Sequence, residues 1–315
     1  FFKHKTAYEI GVRLVGSEMC IRDRLYNFFE TCKFACSSKS EYSLDKFKDG
    51  IYSRVLRIDN KICLVKAELD THNDVIVTVK GENLDVPHIK EFLKIISRII
   101  GIDQNPEDFY KMAALDPLLE PLLCRYQGLH IPQSETIFEA LILSILGQQI
   151  STHVASMLRK EIIVNYGEQL KIDGSVQYAF PTPKVLSQAT VEELKTHKLS
   201  GRKAEYIQQI AMMESEGTID LESFRSLSAD KATKKLIDLK GVGSWTANWL
   251  LVRALSHQDG FPYGDLALQK YMGNLILKRS IMSEKDALAY SERWSPHRSW
   301  VTTYMFADLR NQLTT

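Results

Sequence analysis

The 315-residue chain has few cysteines, and their spacing suggests neither a disulfide scaffold nor a metal site. The five cysteines form no Cys-x-x-Cys pair and no zinc-binding pattern. No cysteine follows Cys124, which excludes an iron–sulfur cluster held by a compact cysteine run near the C-terminus. The eight histidines form no His-x3-His pair. We therefore expect no catalytic metal bound by side chains, and no cofactor.

Long hydrophobic runs are also absent. The longest apolar stretches, residues 137–146 and 249–255, are too short to span a bilayer, so we expect no membrane partner. No clear secretory signal precedes the scattered cysteines, which predicts reduced thiols and an intracellular protein. That location is the nucleus if the source is eukaryotic and the cytoplasm if it is bacterial.

Net charge of either sign is nearly absent as well. Forty basic and 39 acidic residues give a formal net charge of +1. A protein that coats nucleic acid through bulk charge is normally more basic. Any DNA binding by this chain must therefore depend on local geometry.

What is present indicates a globular protein of about two domains, with 44% hydrophobic and 25% charged residues. The run from Thr6 to Arg24 resembles translated sequencing-adaptor sequence. We therefore expect residues 1–24 to be a non-native or disordered leader, with a native N-terminal tail as the alternative.

Two regions follow this leader. Residues 25–105 contain alternating and β-branched segments, then a helical pattern at about 87–100, which predicts a small α+β domain with an antiparallel sheet. Residues 106–315 carry helix-period patterns almost throughout and are predicted to be all-α. The expected fold class is mainly α, with this α+β domain at the N-terminus.

The most informative segment is residues 236–251. Gly241 and Gly243 flank Val242 between two helical patterns, and Ser244 is the predicted N-cap of the second helix. Glycines let the backbone approach a phosphate, and the N-terminus of a helix attracts one. This pattern predicts a helix-hairpin-helix that clamps the DNA backbone; an ordinary helical hairpin with a glycine turn is the alternative.

A carboxylate follows the hairpin. Asp265 lies after a Gly/Pro-rich segment that begins at Phe261, and it stands at the start of a predicted helix. It follows Gly243 by 22 residues, which is enough chain to return beside a strand bound to the hairpin. An N-cap role is the alternative interpretation of this aspartate.

Taken together, this segment resembles the helix-hairpin-helix–Gly/Pro–Asp (HhH-GPD) superfamily of DNA base-excision glycosylases. Residues 138–151, 199–207 and 294–300 are similar to further blocks of the AlkA-type 3-methyladenine DNA glycosylases. The four blocks occur in the right order, and the resemblance covers about residues 41–309. It implies a helix-hairpin-helix glycosylase core and an enzyme that flips a nucleotide out of the duplex.

The resemblance assigns Asp265 as the catalytic carboxylate. Bifunctional members carry a lysine two residues after the second hairpin glycine, and this chain has Trp245 there. The resemblance therefore implies a monofunctional glycosylase with water as the nucleophile and no lyase step. It also places Trp245 and Trp249 in the base pocket, where indole rings favour a cationic alkylated purine; core packing is the alternative for this pair.

The resemblance further implies a set of DNA contacts. Gln149 is the candidate for filling the gap left by the flipped base, although relatives often use an apolar residue there. A backbone-held ion near Leu239 and Gly241 is a further expectation. The predicted DNA-contacting residues are Gly241, Val242, Gly243, Ser244, Thr246, Gln148, Gln149, Ser200, Arg202 and Lys203.

The function predicted from these residues is excision of alkylated purines, such as 3-methyladenine and 7-methylguanine, from double-stranded DNA that contains damaged bases. We expect the enzyme to be a monomer. Two alternatives stay open: a glycosylase for oxidised or deaminated bases, and a non-catalytic DNA-binding protein. The second alternative needs the hairpin but neither Asp265 nor the tryptophan pair.

Overall fold

An antiparallel sheet forms the N-terminal part of the protein. The computed structural model describes residues 7–13, 26–36, 42–278 and 281–312. The strands are β1 (Ala7–Arg13), β2 (Lys46–Lys48), β3 (Ile51–Ile58), β4 (Lys61–Leu69) and β5 (Val75–Glu82), and their order in the sheet is β1-β5-β4-β3-β2. Every neighbouring pair is antiparallel. The predicted small antiparallel sheet is confirmed.

Strand β1 corrects the prediction that residues 1–24 lie outside the fold. Its backbone pairs with β5 from Ala7 opposite Glu82 to Arg13 opposite Ile76. Without β1, the edge of β5 would present unpaired N–H and C=O groups. An extended segment of almost any sequence can pair with such an edge. Residues 1–6 and 14–24 lie outside the described residues. The non-native origin of the leader stays a prediction.

Two helices pack with the sheet and share one hydrophobic core with it. They are α1 (Phe28–Ala35) and α2 (Val86–Ile99). Asp85 caps α2 by accepting from the N–H of His88 at 3.0 Å. The buried side chains of α2 recur at helical spacing, which gives the helix one apolar face: Ile89, Phe92, Ile96 and Ile99.

The rest of the chain is mostly helical, as predicted. Short 3₁₀ turns at Glu222–Ser226 and Glu292–Trp294 and a π-helical turn at Gly273–Leu277 link some of the helices. The helices are α3 (Glu107–Ala113), α4 (Glu120–Arg125), α5 (Ile137–Gly147), α6 (Thr152–Tyr166), α7 (Pro183–Gln188), α8 (Val191–Thr196), α9 (Gly201–Ser215), α10 (Ala229–Ile237), α11 (Ser244–Arg253), α12 (Leu266–Met272), α13 (Glu284–Ser291) and α14 (Arg298–Gln312).

A β-hairpin shows that the all-α prediction for residues 106–315 is wrong at one place. Strands β6 (Gln169–Ile172) and β7 (Ser175–Tyr178) pair across a turn in which Asp173 and Gly174 both have positive φ. Asp-Gly between two such strands is a strong hairpin signal. The Asp173 carboxylate pairs with the ammonium of Lys66 on β4 at 2.9 Å. The hairpin therefore fastens the helical region to the sheet.

A buried ionic cluster makes a second connection between the two regions. Arg54 on β3 contacts Glu139 on α5, Asp45 at 2.8 Å and Glu135 at 3.4 Å. One guanidinium thus faces three carboxylates, and burial raises the pKa of Glu139 although Arg54 opposes the shift. The cluster holds α5, the helix that leads into the predicted DNA-contacting loop.

The helical region contains two hydrophobic cores. One is built around α5, whose side chains are buried on nearly every side, and includes Ala247 and Leu250 of α11. The other contains Trp294 and Trp300, which are 0% and 1% exposed and are therefore core residues. Among the described residues, no helix is both long and apolar enough to cross a membrane.

Candidate active site and nucleic-acid interface

The turn between α10 and α11 requires glycine at position 241. Gly241 has φ +87°, a conformation that side chains with a Cβ rarely adopt. A Cβ at this position would also lie 2.2 Å from the ring of Tyr206 on α9. The sequence pattern predicted that the turn needs a glycine here. It did not predict that the ring of Tyr206 packs against this position.

The N-terminus of α11 is open, and its N-cap differs from the prediction. Gly243 is the N-cap, and Ser244 is the first helical residue. No side chain caps this helix, and a Cβ built on Gly243 would meet nothing within 4 Å. The first intrahelical bond runs from the N–H of Ala247 to Gly243 O at 3.0 Å. The N–H groups of Ser244 and Trp245 precede that bond and belong to half-buried residues, so they can bind an anion.

Two predicted hairpin contacts are corrected for their side chains. Val242 is 6% exposed and belongs to the core around α5, because the turn directs it inward. Thr246 is 1% exposed, and its hydroxyl oxygen accepts a hydrogen bond from the side chain of Gln148 at 3.0 Å. The side chains of these two residues are therefore not available to DNA.

Asp265 is an N-cap, as the alternative interpretation predicted, and it also lies beside helix α11 of the hairpin; its catalytic role stays a prediction. It caps α12, since Oδ1 accepts from the N–H groups of Ala267 at 3.0 Å and Leu268 at 3.2 Å. Oδ2 accepts from the indole N–H of Trp245 at 2.9 Å and that of Trp249 at 3.4 Å. The carboxylate is half-buried, and donors on two helices fix its orientation.

The tryptophan pair lies beside this carboxylate, and both rings are half-buried. The rings of Trp245 and Trp249 meet edge to face, with centroids 6.4 Å apart. Phe306 on α14 packs against Trp249, and the two ring centroids are 4.9 Å apart. Sequence reasoning missed Phe306, because it lies in a helix of mixed polar and apolar residues with no distinctive local pattern. Trp245, Trp249 and Phe306 therefore form an aromatic wall, and the two indoles of this wall contact Asp265.

The loop between α5 and α6 reaches the hairpin. The Gln148 amide donates to Gly241 O and to Thr246 Oγ1, both at 3.0 Å. Gln149 is exposed and has φ +56°. The Lys203 ammonium donates to Leu146 O and Gln148 O, both at 2.8 Å. The side chains of Gln148 and Lys203, predicted as DNA contacts, thus bond to the protein itself.

The remaining predicted contacts lie near the start of α9. Ser200 is its N-cap and accepts from the N–H of Lys203 at 3.4 Å, and Arg202 is exposed. The predicted backbone-held ion stays a prediction. Leu239 O accepts from the N–H of Val242, and Gly241 O accepts from Gln148. Each carbonyl oxygen keeps a second lone pair that can coordinate a cation.

Two family models match this chain. The model described as HhH-GPD superfamily base excision DNA repair protein matches residues 142–297, which contain the hairpin and Asp265. The model of the AlkA N-terminal domain matches residues 35–135, which contain most of the sheet. Together they account for both regions of the fold.

The chain is also similar to individual proteins with this architecture. It is 28% identical to the DNA-3-methyladenine glycosylase of Bacillus subtilis over 83% of this chain and 87% of that protein. It is 27% identical to DNA-3-methyladenine glycosylase 2 of Escherichia coli over 86% of this chain and 90% of that protein. The solved 3-methyladenine DNA-glycosylase from Archaeoglobus fulgidus superimposes with a TM-score of 0.80, at 26% identity, over 96% of this chain and 98% of that one. The chain therefore belongs to the HhH-GPD superfamily of base excision DNA repair proteins, in its AlkA-type branch.

Proposed function

We propose that this protein is a monofunctional DNA glycosylase that excises alkylated purines, of the 3-methyladenine and 7-methylguanine type, from double-stranded DNA. The observation that carries the proposal is the arrangement at Asp265: a carboxylate oriented by two indoles, on the helix that follows an open hairpin. The names of the relatives from Bacillus subtilis and Escherichia coli support the choice of substrate.

The hairpin supplies the DNA contact in this mechanism. A phosphate binds the open N-terminus of α11, where the N–H groups of Ser244 and Trp245 and the positive end of the helix dipole favour an anion. The exposed Gly243 leaves room for the DNA backbone to approach closely. This contact explains how a chain of net charge +1 binds DNA.

Asp265 supplies the chemistry. Cleavage of the N-glycosidic bond builds positive charge on the sugar, and a nearby carboxylate stabilises that charge or activates water. The indole N–H groups of Trp245 and Trp249 hold Oδ2 in place, so little reorganisation is needed during the reaction. The electron pair of the broken bond leaves with the base, and water supplies the hydroxyl group that remains on the sugar.

The aromatic wall supports alkylated purines as the substrate. Alkylation at N3 or N7 makes a purine cationic, and the faces of Trp245, Trp249 and Phe306 attract a cation. The cationic base is also an activated leaving group, so the pocket needs little further discrimination. An oxidised purine carries no such charge.

The absence of a lyase step follows from position 245. A covalent lyase step needs a lysine amine that attacks the sugar, and this chain has Trp245 at the family's lysine position. Among the described residues, no lysine is hydrogen-bonded to Asp265, and Lys240 and Lys270 are exposed. Borohydride trapping of the enzyme on damaged DNA is expected to give no covalent adduct, and an adduct would contradict this part of the proposal.

The decisive experiment measures release of free bases from methylated duplex DNA by the wild type and by Asp265→Asn. Asparagine caps helices as well as aspartate does, so the variant is expected to fold. We expect the wild type to release 3-methyladenine or 7-methylguanine, and the variant to bind DNA but lose nearly all release. A folded, DNA-binding wild type that releases no alkylated base would overturn the substrate assignment. Duplexes with oxidised or deaminated bases then test the alternatives.

A further inference from the structure

The loop between α5 and α6 holds one residue in a strained conformation. Gln149 has φ +56°, a left-handed conformation that residues other than glycine rarely adopt. The loop is only four residues long, from Gln148 to Ser151, and the Gln149 side chain is exposed at its tip. Such strain persists only where the surroundings determine the conformation.

Gln148 ties the loop to the hairpin. Its side-chain amide donates to Gly241 O in the hairpin turn and to Thr246 Oγ1 on α11, both at 3.0 Å. The loop is thus fastened to both sides of the open N-terminus of α11. Its distance from a bound phosphate is set by these two bonds.

Lys203 ties the same loop to α9. Its ammonium donates to Leu146 O and to Gln148 O, both at 2.8 Å. Leu146 is in the last turn of α5, where carbonyls lack partners within the helix and cations are favoured. The ammonium is withdrawn from solvent, and this burial lowers the pKa of Lys203. A lysine that contacts phosphates would instead extend into solvent, as its exposed neighbour Arg202 can.

We infer that Lys203 and Gln148 are positioning residues, which hold the Gln149 loop at a fixed place relative to the hairpin so that Gln149 can enter the gap left by a flipped nucleotide. This inference rests on the proposed function. It reassigns Lys203 from binding a phosphate to shaping the loop, and the two roles differ in their dependence on salt. A phosphate contact contributes about one unit to the slope of log K against log salt, and a positioning residue contributes none.

The test measures binding to two duplexes, one intact and one with a stable abasic-site analogue, over a range of salt concentrations. The abasic duplex mimics the gap, so the ratio of the two affinities reports insertion of Gln149 without any need for catalysis. The variants are Lys203→Met, Gln149→Ala and their combination. Arg202→Met is the matched control for a phosphate contact.

We expect Lys203→Met to keep the wild-type salt slope and to lose the preference for abasic DNA by as much as Gln149→Ala does. The double variant should lose no more than either single variant, since both act through one side chain. We expect Arg202→Met to reduce the salt slope by about one and to weaken binding to both duplexes equally.

The inference is overturned if Lys203→Met lowers the salt slope as Arg202→Met does, or if it leaves the preference for abasic DNA unchanged. It is also overturned if the double variant loses the sum of the preferences lost by Lys203→Met and Gln149→Ala. Gln148→Met breaks the other tether, the one from the loop to the hairpin, and serves if Lys203→Met does not fold. Lys203→Arg keeps the charged donor and should retain the preference for abasic DNA. Base release by the wild type tests the proposed function separately. Its failure would leave these binding results intact.

Discussion

Two helix N-termini meet at the candidate site, and they are built in opposite ways. The N-cap of helix α11 is Gly243, which has no side chain to cap the helix. The N-cap of helix α12 is Asp265, whose Oδ1 accepts from two of the first N–H groups of that helix. In the proposed function the two ends have different tasks. The uncapped end would receive a phosphate, and the capped end would hold the carboxylate that acts on the sugar.

The largest effect is expected where the capping group and the catalytic group are the same carboxylate. Asp265→Asn and Asp265→Ala should both reduce base release by about 10³-fold, because each removes the charge. Only the alanine variant should also lose about 1 kcal/mol of unfolding free energy, since asparagine still caps α12. Single-turnover assays and urea denaturation measure the two quantities. Equal stabilities of the variants would show that the cap contributes little.

The next effect concerns the turn that leads to the open end. Gly241→Ala should lower the unfolding free energy by about 3 kcal/mol, because alanine disfavours φ +87° and its Cβ overlaps the ring of Tyr206. Gly243→Ala is the matched control, since its φ of −102° is ordinary and its surroundings are empty. Urea denaturation measures both variants. A similar loss at the two glycines would contradict the account of Gly241.

A smaller effect is expected from the donors that orient Asp265. Trp245→Phe keeps an aromatic ring but removes the N–H at 2.9 Å from Oδ2, and it should slow base release by about 10-fold. Trp249→Phe removes a longer bond of 3.4 Å and should have the smaller effect. Single-turnover rates on methylated duplex DNA measure both. The reverse order would indicate that ring stacking outweighs the hydrogen bond.

The smallest effect is expected from closing the open end. Gly243→Asp makes α11 resemble α12, so it should stabilise the fold by about 0.5 kcal/mol and weaken DNA binding roughly fivefold. Gly243→Asn caps the helix without adding charge and separates the two causes. Denaturation and fluorescence anisotropy measure stability and affinity. An aspartate variant that binds DNA as tightly as the wild type would show that no phosphate approaches this helix end.

The local patterns predicted the mainly helical fold and the N-terminal antiparallel sheet, and the errors have particular causes. The second helix was predicted to begin with Ser244 as its cap, but the chain uses Gly243, because the extended backbone already ends there. The β-hairpin at Asp173-Gly174 had a recognisable turn signal that the surrounding helical patterns obscured. Strand β1 could not be predicted, since an edge strand pairs through its backbone with little demand on sequence.

The sequence by itself determined the hairpin glycines, the aspartate that follows them and the two tryptophans one turn apart, because each depends on local backbone geometry or on helical spacing. Only the tertiary structure decided what those residues contact. It directed both indole N–H groups to one oxygen of Asp265, brought Phe306 from the last helix to Trp249, and turned Gln148 and Lys203 inward to hold a loop. The physical reason is that a hydrogen bond or a ring contact depends on distances between elements far apart in the chain, and helix packing sets those distances.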